Sequence, residues 1–198
     1  MSAIASSPAT AHYREAFERL RSTLGGSASR RAVAMARFAE LGFPGAREES
    51  WKYTSLRRLE SRRFVPAAQT TTPVNVPAAF VAQRLVLANG SAAGPVPAAL
   101  GGFALGTLAT APEDQLLRAF VGGGTERFAA LNAALTIGPL LLSTVAGQRS
   151  DDVVQLSLVT TGTGPTLASP RIAVRMAPGS RARLLIDHVD DGMHEHFT

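Results

Sequence analysis

The sequence predicts an α+β protein, an N-terminal helical region followed by a mainly β region. Two observations carry this reading. Over the first 64 positions apolar residues recur every three or four places, the period of a helix face. From residue 137 onward they fall in short alternating runs with polar corners, the period of a strand. Between these textures lie Pro66, Pro73, Pro77 and three consecutive threonines, which read as a connection. The predicted organisation is a helical region over 1–64, a linker with short strands and two short helices over 65–136, and a β region over 137–198.

Residues 1–10 are rich in Ser and Ala and read as frayed. Tyr13, Phe17, Leu20 and Leu24 then share one helix face, and Gly25-Gly26 ends that helix. Ser27 or Ser29 can cap a second helix, whose stripe is Ala34, Met35, Phe38 and Leu41. Gly42 stands at the C′ position and Pro44 prevents continuation. Together the two form a helical hairpin. Phe80 to Ala88 reads as a strand, followed by the turn pair Asn89-Gly90. Residues 95–110 stay open, because Gly101, Gly102 and Gly106 break any helix. Glu113 to Val121 and Glu126 to Leu135 read as helices, the second with Phe128, Leu131 and Leu135 on one side. Strands follow at Leu140 to Val145, Val153 to Thr160, Ile172 to Met176 and Ala182 to Val189. Their alternation fits a sandwich and their regular recurrence fits a parallel solenoid, and periodicity alone does not choose.

Composition narrows the function classes. Hydrophobic residues make up 45% and charged residues 18%, which is the composition of a folded chain. No apolar run has transmembrane length, and the first residues lack the basic and apolar blocks of a secretory signal. The expectation is a cytoplasmic protein with no membrane partner. The absence of cysteine excludes disulfides, thiol catalysis and thiolate ligation of a metal or cluster by this chain. Net charge is +5, from 20 basic and 15 acidic side chains. The excess belongs to residues 1–63, so it is no general basic field. Arg in place of Lys, with abundant Ala and Gly, fits the coding bias of a GC-rich genome.

Three groups of residues invite a functional reading. His188, His194 and His196, with Asp187, Asp190, Asp191 and Glu195, supply the ligand types that suit Zn, Fe or Ni. This makes a metal-binding β-domain the first alternative function. The same stretch also reads as a polar turn at Asp190-Asp191-Gly192, so no metal site is assigned. Arg57, Arg58, Arg62 and Arg63 make a dense basic cluster, and a basic nucleic-acid-binding module is the second alternative. Such a module wants interleaved aromatics, and only Tyr53 and Phe64 are near. A solvated face or a contact with an acidic neighbour accounts for the cluster better. Gly122-Gly123-Gly124-Thr125 lacks the GK[ST] ending of a phosphate loop and reads as a joint between helices. No Ser-His-Asp order, paired catalytic carboxylates or H-E-x-x-H pattern stands out. The expectation is a protein that is not an enzyme, with no catalytic residue and no cofactor held by this segment.

Three stretches resemble a known family. Leu41-Gly42-Phe43-Pro44 leads through Arg47 and Glu48 to Trp51-Lys52-Tyr53-Thr54 and Leu56. Phe128 to Ala134 reads FAALNAA. Pro170 to Thr198 contains a strand, the turn Pro178 to Arg181, then Asp187-His188-Val189 and His196-Phe197-Thr198. In this order they resemble the SufB/SufD family, iron–sulfur cluster assembly proteins of the SUF system, with SufD the nearer pattern. The resemblance implies an N-terminal helical region followed by the start of a right-handed parallel β-helix. It implies a scaffold subunit that supports cluster assembly and iron acquisition, with a SufB-like paralogue and a SufC-like ABC-type ATPase as partners. Family members run to roughly twice this length, and their ATPase-binding region lies beyond the matching part. An incomplete β-helix is therefore expected, ending in an uncapped strand edge that dimerises, swaps or aggregates unless covered.

Trp51 is the lone tryptophan and Lys52 the lone lysine. Ring burial against the helical region explains Trp51 better than a stacking platform does. Trp51→Ala is expected to lower the melting temperature while leaving partner binding of the full-length protein intact. Unchanged stability with lost binding would reverse that assignment.

Overall fold

The structure is a computed structural model that describes residues 7–45, 48–70, 76, 80–107, 126–190 and 195–197. Helix α1 spans Pro8–Leu20. It starts earlier than the apolar spacing predicts, because Ser7 accepts a hydrogen bond from the Thr10 backbone N–H and Pro8 sits in the first turn. It also ends earlier, at Leu20, where the Thr23 hydroxyl donates to the Leu20 carbonyl at 2.8 Å. Leu24 stays in the core beyond that end. Helix α2 spans Ala28–Leu41, and Gly42 closes it with φ of 59° and a backbone bond to the Phe38 carbonyl. Ser27 makes no capping bond; its hydroxyl meets that of Ser29 instead.

A single turn of 3-10 helix at Glu49–Trp51 and the short α3 at Arg57–Ser61 follow. Helix α4, Glu126–Leu135, returns to this region from the far side of the sequence. It packs along α2 more extensively than α1 does. The predicted two-helix hairpin is thus part of a three-helix group. The predicted helix at Glu113 to Val121 and the joint at 122–125 lie outside the described residues.

Eleven strands form three sheets among the described residues. The first sheet holds β1 (Val65–Pro66), β8 (Thr166–Leu167) and β11 (His196–Phe197), in that order and all parallel. The second has the order β10 (Arg181–Asp190), β7 (Arg149–Thr160), β2 (Gln83–Ala88), β3 (Ser91–Ala92). Here β10, β7 and β2 are parallel and β3 turns back at Asn89-Gly90. Both turn residues have positive φ, 53° and 93°, which the Asn-Gly pair tolerates. The third sheet has the order β4 (Ala99–Leu100), β5 (Phe103–Thr107), β6 (Leu140–Ser143), β9 (Ile172–Arg175). Gly101 and Gly102 turn the β4–β5 hairpin with positive φ. The stretch that the sequence leaves open is therefore a hairpin. A side chain there has no room: a Cβ on Gly101 would overlap Val154, and one on Gly102 would lie 2.6 Å from the Ser150 Cβ.

The registers show one repeating offset. Leu140 lies opposite Ile172 in the third sheet. Val154 lies opposite Leu184 in the second, and Thr166 opposite His196 in the first. The separation along the chain is nearly the same in all three. The strand set β6, β7, β8 is thus followed by β9, β10, β11, each new strand laid parallel on its predecessor.

Two cores result. Between the second and third sheets lie Leu85, Leu87, Phe103, Leu140, Leu142, Val154, Leu156 and Leu158. The helices bury Tyr13, Phe17, Met35, Phe38 and Leu131 together with Leu167 of β8. Burial pushes the Tyr13 hydroxyl up to about 12. Among the described residues no helix is long and apolar enough to cross a membrane.

Gly138, in the connection from α4 to β6, lies tightly against Ser91 of β3. A Cβ there would lie 2.6 Å from the Ser91 Cβ and 2.7 Å from its Cα. Gly138→Ala is expected to lower stability by about 1–3 kcal/mol through overpacking. Gly94→Ala, where nothing lies within 4 Å, should leave the urea midpoint unchanged. Equal midpoints for both variants would refute that close contact.

A candidate interaction surface

Strands β9, β10 and β11 are each the last strand of their sheet among the described residues. They also follow one another in the chain, so three consecutive strands present their outer edges. An outermost strand offers backbone N–H and C=O groups to a further strand. Four apolar side chains stay exposed along these strands or just beyond them: Val174, Met176, Leu185 and Ile186.

Beside β9 runs a groove of about 620 Å³, lined by Phe128, Leu131 and Asn132 of α4 and by Leu167, Arg171 and Phe197 among others. Arg171 Nη1 donates to Asn132 Oδ1 at 3.0 Å, and Asn132 Nδ2 donates to the Pro170 carbonyl at 2.8 Å. These bonds fasten α4 to the β8–β9 corner. Burial and then the nearby Arg31 cation lower the Arg171 pKa to about 10. Arg31 itself is 6% exposed and reaches the carbonyls of Gly25 and Ala134. The Ala134 carbonyl belongs to the last turn of α4, where a cation is favourable.

The other face of the second sheet carries a chain of polar contacts. Arg84 Nε donates to Ser157 Oγ at 2.8 Å, and Ser157 donates to Asp187 Oδ1 at 2.8 Å. Gln155 Nε2 donates to the same Asp187 oxygen at 3.1 Å, while Gln155 Oε1 accepts from the Phe80 backbone. Gln155 and Ser157 have no solvent exposure. A buried polar pair on β7 is tolerated because its groups are satisfied across to β2 and β10. The side-chain hydrogen-bond partners of Ser157 are Arg84, Gln155 and Asp187.

The structure separates most of the predicted metal group. His188 is exposed on β10, opposite Leu158, and His196 lies on β11 in a different sheet, opposite Thr166. His194 and Asp191 lie outside the described residues. Among the described residues no group of three His, Asp or Glu side chains could hold a metal ion. Glu195 faces arginines instead: Arg58 at 2.8 Å and Arg62 at 2.8 Å. Two members of the basic cluster therefore meet an acidic neighbour, while Arg57 and Arg63 are exposed. Trp51 is half-buried, its ring edge-on to Phe128 at 5.6 Å. Lys52 pairs with Glu49 at 3.7 Å and lies over the exposed Tyr53 ring. Arg31, Arg171, Gln155 and Ser157 escape sequence reasoning. The alternation shows Gln155 and Ser157 as polar residues opposite an apolar face, but nothing local reports that this second face is covered.

A comparison with models of known protein families finds none that matches the chain, and a comparison with curated proteins finds no match.

The Glu195 clasp has a definite pH signature. The hydrogen bond from Arg58, with the charge of Arg62, holds its carboxyl below the usual 4.5. A lowered folded pKa contributes stability above 4.5 that is lost as pH falls through the folded value. Glu195→Gln should therefore be slightly less stable than the parent at neutral pH, with the difference closing in acid. Arg58 is exposed and Glu195 partly so, which keeps the effect small and salt-sensitive. Urea midpoints at successive pH values measure it; a gap that widens in acid contradicts the clasp.

Proposed function

We propose that this chain is a scaffold module of iron–sulfur cluster assembly, similar to the SufB/SufD family, built as the first turns of a parallel β-helix. One observation carries the reading: β6, β7 and β8 are followed, after a nearly constant stretch of chain, by β9, β10 and β11 laid parallel upon them. Each set gives one strand to each of three sheets, which is how a coil-by-coil solenoid stacks. The convergence of the three resembling stretches supports it further. Phe43, Trp51 and Phe197 each meet Phe128, with ring centroids 5.7, 5.6 and 5.7 Å apart. Residues from distant parts of the sequence thus share one aromatic contact centre.

In this role the chain supplies surface and geometry, not chemistry. This segment has no cysteine, so thiolate ligands for a cluster come from elsewhere in the polypeptide or from a partner. The partners in this reading are a SufB-like paralogue and a SufC-like ABC-type ATPase, whose hydrolysis supplies the energy. The cluster is cargo and no resident cofactor is needed.

Coexpression of the chain, in the polypeptide that naturally contains it, with the paralogue and ATPase of the same cell tests this. The expected outcome is a complex of fixed stoichiometry on gel filtration, and reduced iron–sulfur enzyme activity in cells lacking the chain. Absence of any complex, with normal iron–sulfur enzyme activity in those cells, rejects the reading.

A further inference from the structure

Strands β1, β3 and β4 stand at one end of the three sheets among the described residues. Each is two residues long. Short outermost strands and prolines are devices that keep a sheet from adding a foreign strand. Along β1 the backbone N–H groups of Val65 and Ala67 donate to the carbonyls of Pro165 and Leu167, toward β8. Backbone polar groups alternate in direction along a strand, so those of residues 64 and 66 point the other way. Residue 66 is a proline and has no N–H to offer. The Phe64 carbonyl accepts from His12 Nε2 of α1 at 2.8 Å.

The other two sheets close this end by reversal. Strand β3 folds back on β2, with Leu87 opposite Ala92, and the Ala93 N–H donates to the Val86 carbonyl at 2.9 Å. Two residues on, Pro95 has no N–H with which to continue that ladder. Strand β5 runs antiparallel along the whole of β6, and β4 runs antiparallel along β5. The Ala98 carbonyl accepts from the Leu105 N–H, so Ala98 turns its polar groups toward β5 and its neighbours at 97 and 99 turn theirs away. Residue 97 is again a proline.

We infer that residues 64–107 are an end guard, which keeps this edge of the stacked sheets from pairing with a strand of a second copy of the chain. The β1 edge shows how. Two copies of β1 pairing antiparallel about Val65 would need the N–H of residue 66 in one copy to bond the Phe64 carbonyl of the other. Pro66 removes the donor of that bond and His12 occupies its acceptor, and two-fold symmetry repeats the loss. Along β4, Pro97 removes a donor in the same way. The guard has something to guard, since Val65 is 61% exposed on an edge strand. It would serve any chain that stacks coils and does not depend on a role in cluster assembly.

Cross-linking of the complete chain tests this. The sequence has no cysteine, so a single introduced cysteine reports one contact. Val65→Cys and Ala98→Cys mark the two proline-bearing edges, and Ser29→Cys on the exposed side of α2 reports random encounters. Under mild oxidation both edge reporters should give no more covalent dimer than Ser29→Cys. Adding Pro66→Val and His12→Ala to Val65→Cys should raise its dimer about tenfold, because paired strands hold the two thiols at high effective concentration. Circular dichroism checks folding. Should His12→Ala unfold the chain, Pro97→Val added to Ala98→Cys leaves the helices untouched and should show the same rise. Edge reporters that dimerise above the Ser29→Cys level without the added substitutions overturn the proposal. So does a folded variant with an opened edge whose dimer stays at that level.

Discussion

The arrangement depends on how α4 is held between the helices and the strands. Its Phe128 ring meets Phe43 from the loop after α2, Trp51 from the 3-10 turn and Phe197 from the last strand. Aromatic pairs of this kind each contribute about 0.5–1.5 kcal/mol beyond their buried area. The residue before it, Arg127, grips Glu48 with two nitrogens at 2.7 and 3.0 Å. One turn beyond Phe128, Asn132 is bonded to Arg171 and to the Pro170 carbonyl. This single short helix thus fixes three otherwise remote segments.

The β region obeys a different constraint. A parallel strand pair cannot be closed by a tight turn, so each strand must find its parallel neighbour a long way along the chain. Here the separation settles at a nearly constant length because each path visits all three sheets before returning. The inward side chains then fall in register, Leu140 with Ile172 and Leu156 with Ile186. That stacking buries an apolar layer and leaves the newest layer half covered. Exposure of Ile186 and Val174 follows directly from it.

Much of this is legible locally. The Asn89-Gly90 turn, the Gly42 helix end and the strands at 153–160 and 182–189 depend on short-range signals, and the structure has them within a few residues. The span of α1 departs from the apolar spacing because Ser7 and Pro8 outweigh that spacing as a start signal. The hairpin at 99–107 is not legible, because paired glycines deny a helix without naming what replaces it. The histidine group near residue 190 looks compact in sequence. In space His188 and His196 belong to different sheets, because β10 pairs with β7 and β11 with β8.

The sequence by itself determined the α+β class, the absence of thiol chemistry in these residues, and the apolar face of α1, α2, α4 and β7, since periodicity and side-chain type are local properties. Only the tertiary structure decided that α4 belongs with α1 and α2, that Arg31 and Arg171 sit in one desolvated corner, and that Gln155 and Ser157 are buried on the second face of their strand. Each of those facts joins residues tens of positions apart. Their energies depend on which surfaces meet, and no residue encodes its partner from so far away.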